Sequence, residues 1–142
     1  MQHLIITLAL LFTTVLFGQS KSPDGLIKSD IKVTVTNVTS NNGEVRFALY
    51  DRENFLKIPL KALSSKINDG KSTVIFEDIP IGEYAIACFH DENGNEQMDF
   101  YENGMPKEHY GSSNNPMNLG PPEYELSRFD LYKNDLSLEI KF

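Results

Sequence analysis

Tryptophan is absent from the 142 residues, cysteine occurs once, and no Asp, Glu, Lys or Arg falls between Met1 and Ser20. The lone Cys88 excludes an internal disulfide, so the fold must rest on core packing and, where a metal is bound, on that metal. After the uncharged segment, no stretch of ten or more residues carries a 3.6-residue apolar period, which excludes a helical bundle. Basic side chains are also in short supply: 13 Lys and Arg stand against 20 Asp and Glu, a formal charge of −7 that falls wholly beyond Ser20. This balance argues against nucleic acid and anionic membrane surfaces, which attract basic patches, and suits a soluble, cation-binding protein. No internal repeat or low-complexity tract is present.

The uncharged start is itself informative. Leu4 to Phe17 is an almost unbroken apolar run, shorter than the ~20 residues a permanent span needs, and it gives way to small and polar residues. It reads as a secretory signal peptide over residues 1–20, with cleavage after Ser20 or, alternatively, after Gly18. An uncleaved N-terminal anchor is the competing reading, since only His3 and the terminal amine can carry positive charge ahead of the run. No cysteine follows the run, so lipoprotein attachment there is unsupported. The expectation is export to a periplasm, the cell surface or the extracellular space, with no stable membrane insertion after cleavage.

A polar segment over residues 21–29 precedes one domain over residues 30–142. Ile31, Val33 and Val35 alternate with Lys32, Thr34 and Thr36, the period of a strand with one buried face. Asn41-Asn42-Gly43 marks a tight turn, and Val45, Phe47 and Leu49 alternate again, which predicts an antiparallel hairpin of the first two strands. Asp51 to Ile67 is irregular and predicts a loop with a short edge strand. Thr73 to Phe76 and Glu83 to His90 are further strands, separated by the turn Asp78-Ile79-Pro80-Ile81-Gly82. Tyr124 to Tyr132 and Leu136 to Phe142 complete an all-β antiparallel sandwich of about seven strands. Residues 91–122 form a long excursion rich in Gly, Pro and Asn, of the kind that carries function.

That excursion opens with Asp91-Glu92-Asn93-Gly94-Asn95-Glu96-Gln97-Met98-Asp99. With Asp91 as position one, Asp91, Asn93, Asn95, Asp99 and Glu102 take the 1, 3, 5, 9 and 12 spacing of a calcium loop, and the Gln97 carbonyl fills position seven. A hard cation needs six to eight converging oxygens, which alternate inward-turned side chains supply. Glu102 is the expected bidentate closer, with Glu108 as its substitute. The competing reading is a surface turn whose Asx side chains cap their own backbone without metal.

Other candidates follow from residue type. Cys88 and His90 share a strand face and, with His109, offer a three-ligand zinc site. Against this, a lone Cys on a core face is usually an apolar filler, and His90 at a strand end suits a hydrogen bond that steadies the loop. A metal-dependent hydrolase using His90, Asp91 and His109 is the alternative function. Ser112 and Ser113 lie near His109, but no Gly-x-Ser-x-Gly elbow accompanies them, and the expectation is no enzyme. Phe100, Tyr101, Tyr110 and Tyr124 surround the excursion and either pack it on the sheet edge or stack against a glycan or peptide partner.

Several segments together resemble a known family. Gly43-Glu44-Val45-Arg46-Phe47-Ala48-Leu49-Tyr50-Asp51, Ile79-Pro80-Ile81-Gly82-Glu83-Tyr84-Ala85, His90-Asp91-Glu92-Asn93-Gly94-Asn95, Gly104-Met105-Pro106-Lys107-Glu108, Tyr110-Gly111 and Ser113-Asn114-Asn115 look like the bacterial family of unknown function DUF2141. The resemblance implies an exported prealbumin-like or immunoglobulin-like β-sandwich, some relatives of which bind calcium in Asp/Asn-rich loops. Where an EF-hand places its sixth-position glycine this chain has Glu96, and Gly94 offers a bend two residues earlier.

Overall fold

The computed structural model describes residues 25–142; residues 1–20, read from the sequence as a signal peptide, lie outside them. Eight strands and one helical turn follow in the order β1 Lys28–Val35, β2 Glu44–Tyr50, β3 Lys61–Lys66, β4 Ser72–Pro80, β5 Gly82–Asp91, β6 Tyr110–Ser112, α1 Tyr124–Ser127, β7 Phe129–Leu131 and β8 Leu136–Ile140. The chain is all-β, in two sheets: one of order β4-β1-β8, and one of order β3-β2-β5-β6 in which β7 also pairs with β5. Among the described residues no helix is long and apolar enough to cross a membrane.

The alternating residues point where the sequence places them. Ile31, Val33 and Val35 of β1, Phe76 of β4 and Ile140 of β8 meet Val45, Phe47, Leu49, Ile86 and Cys88 of the other sheet in one buried cluster. Fully burying such side chains contributes about 1.5–3 kcal/mol each, against the entropy of ordering the chain.

Three expectations need correction. β1 and β2 do not form a hairpin: β1 pairs with β4 antiparallel and with β8 parallel, while β2 lies in the other sheet between β3 and β5. The connection dips through buried Val38, whose N–H donates to the Gly70 carbonyl at 2.9 Å, and carries the chain across the core edge. A period of two says which residues face inward but not which strand lies alongside. Tyr124 to Tyr132 is not one strand either. It breaks into α1 and β7 because Ser127 turns inward, its hydroxyl donating to the Ser112 hydroxyl at 2.8 Å and its carbonyl accepting from Ser113 Oγ. Two three-residue strands, β6 and β7, then share one edge of β5, which brings the count to eight rather than about seven.

The Pro80-Ile81-Gly82 turn passes the chain from β4 in one sheet to β5 in the other. Its tyrosine explains the motif: Tyr84 folds back so that its hydroxyl donates to the Pro80 carbonyl at 2.8 Å, with Gly82 packed under the ring.

Candidate functional site

β5 ends at Asp91, and the Asx-rich loop starts there. The register sets Glu44 of β2 opposite Asp91, so the preceding turn is forced against the strand end. Gly43, at φ 70°, accepts this approach; a Cβ there would lie 2.0 Å from the Asp91 carbonyl oxygen. His90 is buried at the same corner, its Nε2 donating to the Asn42 carbonyl at 2.7 Å, so the ring ties the turn before β2 to the strand and not, as expected, the loop that follows it.

Asp91 is only 1% exposed, and a buried carboxylate is costly unless paired and hydrogen-bonded. Its Oδ2 accepts from Arg46 Nε and from the Glu96 N–H, both at 2.9 Å, and its Oδ1 accepts from the Asn95 N–H at 3.1 Å. Arg46 reaches on to Glu96, Nη2 to Oε1 at 2.9 Å. Burial works against the Arg46 charge, but the Asp91 and Glu96 carboxylates outweigh it and hold the guanidinium above its ordinary value.

Beyond Asp91 the loop curls with alternate side chains turned inward. The Asn93 Oδ1 accepts from the Asn95 N–H at 3.1 Å, and the Asn95 Oδ1 from the Gln97 N–H at 3.0 Å. Both side-chain amides donate to Asp99: Asn93 Nδ2 at 2.7 Å, Asn95 Nδ2 at 2.9 and 3.0 Å to the two oxygens. Asp91, Asn93, Asn95 and Asp99 are thus brought together, with the Gln97 backbone beside them. The bend at the sixth position is present without glycine, since Glu96 itself adopts φ 67° in addition to Gly94 at φ 73°. A left-handed residue with a Cβ costs about 1–2 kcal/mol, which the Glu96 N–H offsets by bonding Asp91.

Glu102 is not part of this group. It sits exposed in the turn Tyr101–Gly104 of a small hairpin, in which Tyr101 N–H donates to the Met105 carbonyl at 2.8 Å and Phe100 bridges Pro106. The hairpin folds Glu108 back instead, whose two carboxylate oxygens accept from the Glu92 N–H at 3.3 Å and the Asp99 N–H at 3.2 Å. Glu108, weighed as a substitute for position twelve, thus ties the two ends of the Asx segment together through backbone N–H groups. Arg46 had no signal in its local sequence; only the β2–β5 register, Arg46 opposite Phe89, brings it to Asp91.

The zinc set does not assemble. Among the described residues no three His, Cys, Asp or Glu side chains are grouped so as to hold a metal ion. Cys88 is in the core with its Sγ 3.7 Å from the Gly111 carbonyl, and burial pushes its thiol up, away from the thiolate a metal needs. His109 is exposed and its ring stacks 6.5 Å from Phe142. Asp91, Asp99 and Glu108 are not grouped as three metal-holding carboxylates either, so a hard cation on the Asx loop would depend on the Asn and backbone oxygens as well. Ser112 and Ser113 are buried as well: Ser113 Oγ accepts from the Ile86 N–H at 3.0 Å, filling the gap between β6 and β7 along β5.

A second polar cluster, missed in the sequence, lies at the other end of β5. Arg52 and Arg128 each pair with both Glu83 and Glu125, forming a closed ring of alternating charge; Arg52–Glu83 is 3.2 Å and Arg128–Glu83 2.7 Å. Tyr124 donates to Glu83 at 3.1 Å, lies under Arg52 at 4.8 Å and meets Phe55 edge-on, and Phe55 meets Tyr50 in the same way. Burial, then the Glu83 carboxylate, push the Tyr124 hydroxyl up to about 12. So Phe55 and Tyr124 pack the structure together, whereas Phe100 and Tyr101 stay more than half exposed. A cavity of about 450 Å³ opens elsewhere, between Tyr110, Asn115, Met117, Lys141 and Phe142.

No curated protein and no solved structure matches the chain. The family model described as "Uncharacterized protein conserved in bacteria (DUF2141)" matches residues 33–139, from within β1 to within β8 and across the whole Asx loop. The chain therefore belongs to the DUF2141 family.

Proposed function

We propose that the protein is an exported, calcium-stabilised β-sandwich, prealbumin-like or immunoglobulin-like, that works as a binding or structural module and not as an enzyme. Two sheets sharing one core and a tyrosine that bonds back across a sheet-to-sheet corner support the sandwich reading. The uncharged Leu4–Phe17 run supports export. One observation carries the calcium reading: Asn95 joins two carboxylates, its backbone N–H on Asp91 and its side-chain amide on Asp99. Asp91, Asn93, Asn95 and Asp99 are thereby joined within one short curl, and a hard cation would draw their oxygens inward in place of the N–H groups they now accept. They would hold the ion with the Gln97 carbonyl, and Glu108 in place of Glu102 would close the loop. Calcium would supply the positive charge that only amide N–H groups now offer Asp99.

At a free calcium concentration of about 100 times Kd, binding adds about 2.7 kcal/mol by mass action, a large share of a domain's usual margin. Thermal melts of the mature protein in excess chelator and then in added calcium test the reading. The expected result is a calcium-dependent rise in Tm that is lost in an Asp91→Ala/Asp99→Ala double variant. Asp99→Ala alone serves as well, because Asp99 is spared the burial of Asp91. Absence of any rise in the wild type overturns the reading.

A second reading has one observation in its favour. Phe100 and Tyr101 are exposed beside the loop, with Lys107 Nζ 5.3 Å from the Tyr101 ring, a surface suited to stacking an extracytoplasmic glycan or peptide. The zinc hydrolase alternative through His90, Asp91 and His109 has less support, because the His90 ring is occupied by Asn42 and Asp91 by Arg46. Substrate turnover abolished by His109→Ala would restore it.

A further inference from the structure

We propose that Asn93 is a self-modifying position, deamidating spontaneously to aspartate or isoaspartate at a rate set by the fold. The chain holds three Asn-Gly pairs, at 42–43, 93–94 and 103–104. In each, the glycine nitrogen can attack the asparagine Cγ. The N–C bond that forms closes a five-membered succinimide; the Cγ–Nδ2 bond breaks and ammonia leaves, taking the proton from the glycine nitrogen. Water then opens the ring at either carbonyl.

The three pairs differ in what holds them. Asn42-Gly43 is pinned: its glycine lies against the Asp91 carbonyl and the Asn42 carbonyl carries the His90 ring. In Asn103-Gly104 the attacking nitrogen is engaged, its N–H donating to the Tyr101 carbonyl at 2.9 Å. Gly94 is different. Among the described residues its N–H meets no acceptor, and nothing lies within 4 Å of where its Cβ would be. The electrophile is also prepared. The Asn93 Oδ1, where negative charge develops on attack, accepts the Asn95 N–H at 3.1 Å; the Nδ2 donates to Asp99 at 2.7 Å, a bond that is given up when ammonia leaves. The product carboxylate replaces that amide donor, so the loop gains one negative charge against Asp99. The proposal does not depend on the loop binding a cation.

The test is incubation of the folded protein in chelator at mildly alkaline pH, followed by fragment-ion mass spectrometry that assigns the one-dalton gain to a residue. In the folded state Asn93 should convert faster than Asn103 by about tenfold, the ratio that one hydrogen bond at the reacting nitrogen corresponds to, and faster than Asn42, whose glycine is wedged against the Asp91 carbonyl. In denaturant, where only the shared Asn-Gly chemistry remains, the three rates should converge. Conversion of Asn42 or Asn103 as fast as Asn93 in the folded protein overturns the proposal, and so does an equal preference for Asn93 in denaturant.

Discussion

The two polar clusters at opposite ends of β5 use opposite means to the same end. At the Asp91 end a single carboxylate is buried and satisfied by fixed backbone N–H groups and one guanidinium. At the Glu83 end four long charged side chains meet in water around an aromatic stack. A buried carboxylate cannot lose its partners without an uncompensated desolvation cost, whereas exposed pairs trade with solvent and are screened by salt. The first cluster therefore holds the backbone in place, and the second steadies a helical turn that the buried serines already anchor.

Substitutions at the Asp91 end should have the larger effects. Gly43→Ala drives a Cβ into the Asp91 carbonyl and places alanine at φ 70°. Overpacking of up to about 3 kcal/mol plus about 1 for the left-handed backbone gives a loss of about 4 kcal/mol in denaturant unfolding. Asp91→Ala strips the acceptor from Arg46, Asn95 and Glu96, and should cost about 3 kcal/mol, the lower end for a broken buried pair because Arg46 keeps some solvent. If Asp91→Ala melts as the wild type does in chelator, the carboxylate is not what holds the corner.

Glu96→Gly sharpens the comparison in the other direction. It relieves about 1 kcal/mol of left-handed backbone and gives up an exposed ion pair worth at most about 0.5, so a small stabilisation is expected. A loss would mean that Glu96 matters as a partner of Arg46.

The smallest effect belongs to Glu125→Gln at the exposed ring, a drop in Tm below that of Asp91→Ala and absent in molar salt. This end should also report acid. Burial works to raise Glu83, but the Tyr124 hydroxyl, Arg128 and Arg52 outweigh it; Arg52 above all holds Glu125 low. Both folded-state values lie below the ordinary glutamate range. Their stabilisation is thus complete above that range and is lost as pH falls through the depressed values. The Glu125→Gln difference should shrink over the same interval, and a pH-independent difference would count against the ring.

Much of this was legible beforehand, for a reason of scale. The alternation of Ile31, Val33, Val35, Val45, Phe47 and Leu49 fixes the inward face of each strand locally, and all six are buried. The Asx spacing is likewise local, because Asn93 and Asn95 bond backbone groups two residues on. That Glu108 and not Glu102 would reach the loop backbone was not, since it hangs on how the Phe100–Pro106 bridge folds the hairpin back.

The chain alone determined that strands would dominate, which side chains would be inside, and that the Asx side chains between Asp91 and Asp99 would turn onto their own backbone and one another. These follow from periods and spacings shorter than a strand. Only the tertiary structure decided that β1 would leave β2 for β4 and β8, that Arg46 would meet Asp91, and that Arg52 would find Glu125. Those partners stand far apart along the chain. Their meeting is selected by which sheets close the core at the lowest cost in unpaired backbone and empty volume, a property of the whole fold and of no single segment.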